Sequence, residues 1–289
     1  MGQRVAHATN RTQWWNVVDP ATVPRVRQTL RLCLMGAWTL LCYLAWLPLA
    51  ILALVSGRLS RRWNEFAVRT WTRGLVGALG LEVDVIGTPP PKPFFMVANH
   101  LSYLDILVLG ARLGPTFISK HELATWPVLG HLARVTGVIF VNRARKRDAV
   151  RVLDEIDTAV ERGAGVVLFP EGTSHKGDRI YPLKTALLEW AAKKHYPVHA
   201  VSLSYGTPDK AFSASDDICW WGDTPFAPHF LNLLTIPKVT ATLSFAPEPV
   251  VEDNRSVLGS RLHGMLAEQF TPVDENPVDS RASRLAPRA

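Results

Sequence analysis

The sequence of 289 residues has few cysteines and lacks the motifs of several common enzyme classes. Its three cysteines, Cys33, Cys42 and Cys219, have neither the spacing of a metal site nor the even number of a disulfide framework. The absence of Gly-x-Ser-x-Gly excludes a serine hydrolase built on that turn. The absence of a Walker loop and of Gly-x-Gly-x-x-Gly excludes those two nucleotide-binding loops. We expect no metal, no cofactor, and a main domain in the reducing cytosol.

Charged residues are absent from residues 32–56, which read LCLMGAWTLLCYLAWLPLAILALVS. A helix of 25 residues is longer than the roughly 20 that cross a bilayer. The stretch also begins too late and runs too long for a signal peptide. We therefore predict a membrane anchor. Arginines flank it on both sides, so a single span and a hairpin that turns near Pro48 both remain open.

Positive charge is concentrated at the same end of the chain. Residues 1–75 hold ten arginines against two acidic residues, and the rest is close to neutral although the whole chain carries +7. A nucleic-acid site would spread basic residues over the folded domain, so we expect no nucleic-acid partner. A basic excess beside an apolar stretch is typical of a segment on an anionic leaflet. We expect the chain to contact membrane lipids on the cytoplasmic face of the inner membrane.

Short apolar runs alternate with helical patterns over the rest of the chain, which indicates an α/β fold with a mixed, largely parallel sheet flanked by helices. The predicted strands are LEVDVIG, FFMVA, TFISK, GVIFV, GVVLF, VHAVSLSY and residues 239–246, and the predicted helices include 145–162 and 254–270. We divide the chain into an N-terminal basic segment with the anchor at 1–75, a main domain at 76–270, and a polar tail at 271–289 that we expect to be disordered.

An insert at residues 219–237, CWWGDTPFAPHFLNLLTIP, is rich in aromatic residues and leucine. Proline and glycine interrupt it, so we expect no long regular element there. It is either a buried irregular loop or a surface that contacts lipid or an acyl chain, and its composition fits both.

The stretch NHLSYLD, residues 99–105, joins a predicted buried strand to a helix. His100 and Asp105 would lie about 140° apart on one regular helix. They meet only if His100 lies in the loop and Asp105 in the first helical turn. Ser102 as the N-cap would put Asp105 at the third helical position. The carboxylate then pairs either with the backbone amide of Ser102 or with the imidazole, where it would fix the tautomer and stabilise an imidazolium.

Three more predicted strands end in groups that suit acid–base chemistry or anion binding. GVVLF leads into PEGTS, which offers Glu171, two hydroxyls and backbone amides. TFISK ends in Lys120, and GVIFVNR ends in Arg143, a permanent cation suited to phosphate or carboxylate. Because open α/β sheets build their sites at the carboxyl ends of strands, we expect these groups to converge on His100 and Asp105.

In this order, NHLSYLD, GVIFVNR, FPEGTS and YPVHAV resemble the four blocks of the glycerolipid acyltransferase family, which includes bacterial 1-acyl-sn-glycerol-3-phosphate acyltransferases. The resemblance implies a glycerol-3-phosphate acyltransferase-like fold for the main domain. It implies transfer of a fatty acyl group from acyl-CoA or acyl-carrier protein to the sn-2 hydroxyl of 1-acylglycerol-3-phosphate (lysophosphatidate). By that analogy His100 is the general base and Asp105 orients it. The acceptor-binding residues would be Asn99, Lys120, Arg143, Glu171, Gly172, Thr173 and Ser174.

Two positions depart from the family pattern. Arginine commonly follows Glu-Gly-Thr, whereas this chain has Ser174, so one phosphate-pairing group is missing unless Lys176, Arg179 or Lys184 replaces it. The fourth block usually has a second proline where Ala200 stands. The first departure leaves a second acceptor open, a lyso-ornithine lipid, whose head group is not phosphate and which some relatives acylate. A non-catalytic lipid-binding protein with the same fold is a third alternative, against which the intact acid–base residues count.

Overall fold

The computed structural model describes residues 22–53, 57–126, 129–142 and 148–273. Its helices are α1 (Thr22–Ala53), α2 (Gly57–Leu79), α3 (Leu104–Leu113), α4 (Leu129–Val135), α5 (Asp148–Glu161), α6 (Glu189–Lys194), α7 (Phe226–Leu233) and α8 (Arg255–Gln269). Its strands are β1 (Leu81–Ile86), β2 (Phe94–Ala98), β3 (Thr116–Lys120), β4 (Ile139–Val141), β5 (Gly165–Leu168), β6 (Val198–Gly206) and β7 (Val239–Phe245). The predicted α/β class is confirmed.

The strands form one sheet in the order β1-β7-β6-β2-β5-β3-β4. Only β6 and β7 pair antiparallel among the described strands, so the sheet is mixed and largely parallel as predicted. Met96 of β2 lies opposite Val167 of β5, and Val167 lies opposite Phe117 of β3. The carboxyl ends of these strands therefore meet at one edge of the sheet, where such folds place their sites.

Every residue of β2 is buried, because helices cover both faces of the sheet. Phe94 and Met96 belong to the core on the side of α2 and α3. Phe95 and Val97 point to the opposite core, which α5, α6 and α8 complete. A strand buried on both faces reads as a continuous apolar run, which is why FFMVA shows no alternation.

Helices α1 and α2 form an antiparallel hairpin. The indole of Trp38 donates to the carbonyl of Trp71 at 3.0 Å, and a side chain at Gly74 would overlap the Trp38 ring. Glycine at position 74 therefore leaves room for the Trp38 ring. The helix runs through Pro48 to Ala53, so the chain does not reverse at the proline. Within α1, residues 23–46 are long and apolar enough to cross a membrane.

Two arginines of α1 attach the hairpin to the sheet domain. Arg27 donates to the carbonyl of Thr235 at 2.6 Å. Arg31 is buried and donates to the carbonyls of Leu234, Ile236 and Pro237 at 3.1, 2.6 and 3.0 Å. These two basic residues before the apolar stretch therefore bind backbone carbonyls of the sheet domain. Arg4 and Arg11 lie outside the described residues.

Some predicted boundaries differ from the observed ones. The strand in GVIFV begins only at Ile139, because Gly137 adopts φ +78° and its N–H closes the end of α4 on the Arg134 carbonyl. Helix α5 begins at Asp148, and the predicted start at 145 lies outside the described residues. The insert contains a helix, α7. Val273, in the predicted disordered tail, is buried and its N–H donates to Gly177 O at 2.8 Å, so this residue packs against the main domain.

Candidate active site

His100 and Asp105 form a hydrogen-bonded pair beyond the end of β2. His100 Nδ1 lies 2.7 Å from Asp105 Oδ2, and Phe169 stacks on the imidazole with ring centroids 4.3 Å apart. The Asp105 side chain is fully buried, whereas that of His100 is 22% exposed. A carboxylate on Nδ1 holds the proton there and leaves Nε2 free to accept one. Within the described part of the chain, Nε2 has no hydrogen-bond partner, so the pair can act as a base.

The same carboxylate also binds the backbone of the loop. Asp105 Oδ2 accepts hydrogen bonds from the N–H groups of Leu101 at 2.8 Å and Ser102 at 3.1 Å. The two pairings left open by the sequence therefore coexist on one oxygen. Because three donors converge on it, the ionised carboxylate is stabilised although it is buried.

The prediction that Ser102 is the N-cap of α3 is wrong. Tyr103 occupies that position in a helical conformation without a side-chain cap, so Asp105 is the second residue of the helix and not the third. The Ser102 hydroxyl instead donates to the carbonyl of Ile218 at 2.8 Å. The amides of the entering loop already find the Asp105 carboxylate, which leaves the serine available for this distant partner.

Tyr205, which the sequence reading did not single out, completes the surroundings of the carboxylate. Its hydroxyl donates to Asp105 Oδ1 at 2.7 Å from β6. Burial, and then the charge of Asp105, raise the pKa of Tyr205 well above its ordinary value, so the phenol keeps its proton. A tyrosine at the end of the predicted strand VHAVSLSY was the one available signal, because a buried phenol needs a polar partner.

Glu171 braces the loop that carries the histidine. Its Oε2 accepts from the N–H of His100 at 2.7 Å, and its Oε1 accepts from the N–H of Tyr181 at 2.8 Å. Burial raises the pKa of Glu171 to about 7, against the opposing effect of these two donors. Gly172 follows in a left-handed turn at φ +81°, a conformation that favours glycine. The predicted contact of Glu171 and Gly172 with the acceptor stays a prediction.

Asn99 joins the loop to β6. Its side-chain amide donates to Leu203 O at 2.9 Å and accepts from Leu203 N at 2.6 Å. Because the side chain is buried and both ends of its amide are occupied, this geometry fits a brace better than the predicted substrate contact.

The other predicted binding residues differ in placement. Thr173 is exposed, and Lys120 is exposed at the end of β3, two strands from β2. Ser174 is buried, and its hydroxyl donates to the carbonyl of Trp220. Arg143 lies outside the described residues. Of the cations considered as a replacement for the missing arginine, Arg179 lies over the Tyr181 ring at 5.0 Å.

The beginning of the insert is hydrogen-bonded to the loop that carries His100 and to the loop that carries Glu171. Besides the contacts of Ser102 and Ser174, the N–H of Trp220 donates to Leu101 O at 2.8 Å. We call residues 218–220 the strap, because they join the His100 loop to the Glu171 loop. His229 Nε2 donates to the Cys219 carbonyl at 3.0 Å, which leaves Nδ1 to accept from the Tyr103 hydroxyl at 3.1 Å.

Aromatic rings of the insert gather around Tyr103, which follows the His100 loop. Phe226 and Phe230 contact its ring edge-on, and Trp220 lies 5.9 Å from it. Trp221 and Leu231 remain 39% and 40% exposed. The insert is therefore buried where it meets the His100 loop and exposes some apolar side chains at its surface, so each of the two alternatives describes part of it.

Comparison with known proteins decides the family. The family model described as Acyltransferase matches residues 82–204. A protein of Rhizobium meliloti (strain 1021) named lyso-ornithine lipid O-acyltransferase is 30% identical over 293 residues, which cover 89% of this chain and 99% of that protein. The chain belongs to the glycerolipid acyltransferase family. It is therefore an enzyme, a lipid acyltransferase, and the alternative of a non-catalytic lipid-binding protein is set aside.

Two further proteins are similar to this chain, one in sequence and one in structure. A 1-acyl-sn-glycerol-3-phosphate acyltransferase of Neisseria meningitidis serogroup B is 36% identical over 135 residues, 46% of this chain and 53% of that protein. The crystal structure of the 1-acyl-sn-glycerophosphate (LPA) acyltransferase PlsC from Thermotoga maritima matches with a TM-score of 0.58 at 18% identity. The match covers 84% of this chain and 97% of that one, and it confirms the predicted glycerol-3-phosphate acyltransferase-like fold.

Proposed function

We propose that the enzyme transfers a fatty acyl group from an acyl thioester to the hydroxyl of a lyso-ornithine lipid, with His100 as the general base and Asp105 as its orienting carboxylate. The observation that carries the chemistry is the 2.7 Å contact between His100 Nδ1 and Asp105 Oδ2, with Nε2 facing away from it. An acceptor hydroxyl is a weak nucleophile until a base within hydrogen-bond reach takes its proton, an effect worth roughly 10²–10⁴-fold.

The reaction needs no covalent enzyme intermediate. His100 Nε2 takes the proton of the acceptor hydroxyl while its oxygen attacks the thioester carbonyl. The tetrahedral intermediate then expels the thiolate, which takes the proton back from the imidazolium, so an ester and a free thiol leave the site. The buried charge of Asp105 stabilises the imidazolium between the two proton transfers. The donor in this proposal is acyl-CoA or acyl-carrier protein.

Two observations favour a lyso-ornithine lipid as the acceptor. The relative from Rhizobium meliloti, which this chain matches over nearly its whole length, carries that activity in its name. In addition, Ser174 stands where the family pattern commonly has a phosphate-pairing arginine, and its hydroxyl is bound to the strap. An ornithine head group contains no phosphate and does not need that arginine.

Lysophosphatidate is the second candidate acceptor. The Neisseria meningitidis relative is named for that activity, and its similarity covers about half of each chain. Lys120, exposed at the carboxyl end of β3, would suit a phosphate, as would Arg143 of the second block. In this case the sn-2 hydroxyl of 1-acylglycerol-3-phosphate would donate its proton to His100.

The apolar surface of α1 supports attachment to the inner membrane with the site on the cytoplasmic face. Leu30, Leu41 and Leu44 are all more than half exposed, which is costly in water and favourable in lipid. This placement would bring a lipid acceptor and a cytosolic thioester to the same site. Protease digestion of sealed vesicles tests it, since cleavage from the periplasmic side alone would contradict the assignment.

The central test is acyl transfer by purified His100→Asn, with labelled acyl-CoA or acyl-carrier protein and a panel of lysolipids. Product masses identify the acceptor, and the expected loss is roughly 10²–10⁴-fold. His195→Asn is the matched control, because His195 is the exposed residue that ends α6 and its φ of 47° suits asparagine. Wild-type turnover by His100→Asn would end the base assignment. A clear preference for lysophosphatidate would exclude the lyso-ornithine lipid.

A further inference from the structure

The carboxylate of Asp105 is held from two sides by different parts of the fold. Oδ2 accepts its three hydrogen bonds from the catalytic loop itself. Oδ1 faces the other way and, within the described residues, accepts only from the hydroxyl of Tyr205 at 2.7 Å. Asp105 is fully buried and Tyr205 is 4% exposed, so water does not replace this donor.

Tyr205 reaches the carboxylate from a rigid position. It lies on β6 opposite Ala241 of β7. Its ring belongs to the same core as Leu203 and Leu243, on the face covered by α3. A phenol fixed in this way delivers its O–H at a constant distance, which is the requirement for a short hydrogen bond to an anion.

We propose that Tyr205 is a positioning residue of the His100–Asp105 pair, and that its hydroxyl lowers the affinity of this pair for a proton. The inference rests on the proposed role of His100 as general base. The donated hydrogen bond stabilises the negative charge of the pair and thereby keeps His100 unprotonated to lower pH. The sign is the same whether the added proton resides on the imidazole or on the carboxylate, because in both cases it offsets the negative charge that the Tyr205 hydroxyl stabilises.

Other titratable groups also face the pair and must be separated from Tyr205. Glu171 binds the backbone of His100, and burial raises its pKa to about 7. Burial, and then the charge of His100, lower the pKa of His175. Burial raises the pKa of Tyr103, and burial followed by the charge of Asp105 raises that of Cys219, so both stay neutral near pH 7. Glu171 is thus the group whose titration overlaps with the expected effect.

The test is the pH dependence of kcat/KM for Tyr205→Phe in the full-length enzyme. The acid limb of this pH profile should move to higher pH by roughly one unit, because the variant lacks the hydrogen bond to the charged Asp105. The matched control is Tyr196→Phe, whose hydroxyl lies 3.3 Å from Pro93 O far from the site, and it should retain the wild-type limb. A limb that stays in place in Tyr205→Phe overturns the proposal, even if the rate falls.

Two further experiments separate the effect of Tyr205 from the titration of Glu171 and from a failure to fold. The Tyr205→Phe change is repeated with Glu171→Gln, which removes the overlapping titration, and the upward displacement should persist. If the phenylalanine variant does not fold, 3-fluorotyrosine at position 205, a stronger donor of similar shape, should displace the limb to lower pH. An unmoved limb there contradicts the proposal as well. Full activity of His100→Asn would instead refute the general base itself, so the two failures are distinguishable.

Discussion

The backbone N–H of His100 donates to Glu171 Oε2 at 2.7 Å, so the side chain of one motif fixes the backbone of the other. The second oxygen of Glu171 fixes Tyr181 in the same way. Glu171 therefore acts in the structure as a clamp between two loops at the edge of the sheet. Because the packing of these two loops depends on a buried carboxyl group, protonation of Glu171 links the stability of the fold to pH.

We expect the free energy of unfolding to fall as pH rises from about 5 to about 7. The pKa of Glu171 is raised to about 7 in the folded state by burial, above its value in an unfolded chain. The folded state therefore holds more protons in this range, and its stability declines as they leave. The effect is on the order of 3 kcal/mol for a shift of this size. Unfolding in detergent across this pH range measures it, and Glu171→Gln should flatten the dependence. An equal slope in both proteins would contradict the assignment.

Asp105→Asn should lower the rate of acyl transfer while the fold survives. The asparagine oxygen can still accept from His100, Leu101 and Ser102, and its NH₂ group can donate to the Tyr205 oxygen. What disappears is the negative charge that stabilises the imidazolium, so we expect a loss of roughly 10²-fold. Asp84→Asn, at an exposed position of β1, is the control and should behave as wild type. Complete unfolding of Asp105→Asn would show that the carboxylate is chiefly structural.

Ser174→Arg should shift the acceptor preference towards lysophosphatidate. The change restores the guanidinium of the family pattern and removes the hydroxyl that binds Trp220. A charge-assisted hydrogen bond to phosphate corresponds to roughly tenfold or more in kcat/KM for the phosphate acceptor relative to the lyso-ornithine lipid. Ser174→Gln, which disturbs the strap without adding charge, is the matched control. The same ratio in both variants would show that the side chain at 174 does not select the head group.

The sheet and the acid–base pair were predictable because their signals are local. FFMVA and GVVLF are apolar runs of strand length. His100 and Asp105 are five positions apart, at the junction of a strand and a helix. The short spacing allowed only one geometry in which the two side chains meet. The contact between them follows from the residues themselves together with a strand-to-helix transition.

The rest of the site depends on partners far away in the sequence. Serine is a residue type favoured at helix N-caps, yet the Ser102 hydroxyl donates to the carbonyl of Ile218, which is 116 residues away. Tyr205 reaches Asp105 over 100 residues, and Asn99 reaches Leu203 over 104. Which carbonyl or carboxylate such a side chain binds is decided by how β6 and the insert pack on residues 99–105. Local pattern contains no information about that packing.

Arg31→Lys should destabilise the attachment of α1 although it preserves the positive charge. The Arg31 side chain is 7% exposed, and its planar guanidinium binds three carbonyls after α7, whereas a lysine has one nitrogen to share among them. Each buried carbonyl left without a donor costs about 1–3 kcal/mol, so the unfolding temperature in detergent should fall by several degrees. Arg25→Lys, at an exposed position of the same helix, is the control and should have no effect. If Arg31 acted by attracting anionic lipid, lysine would serve equally well and the two variants would behave alike.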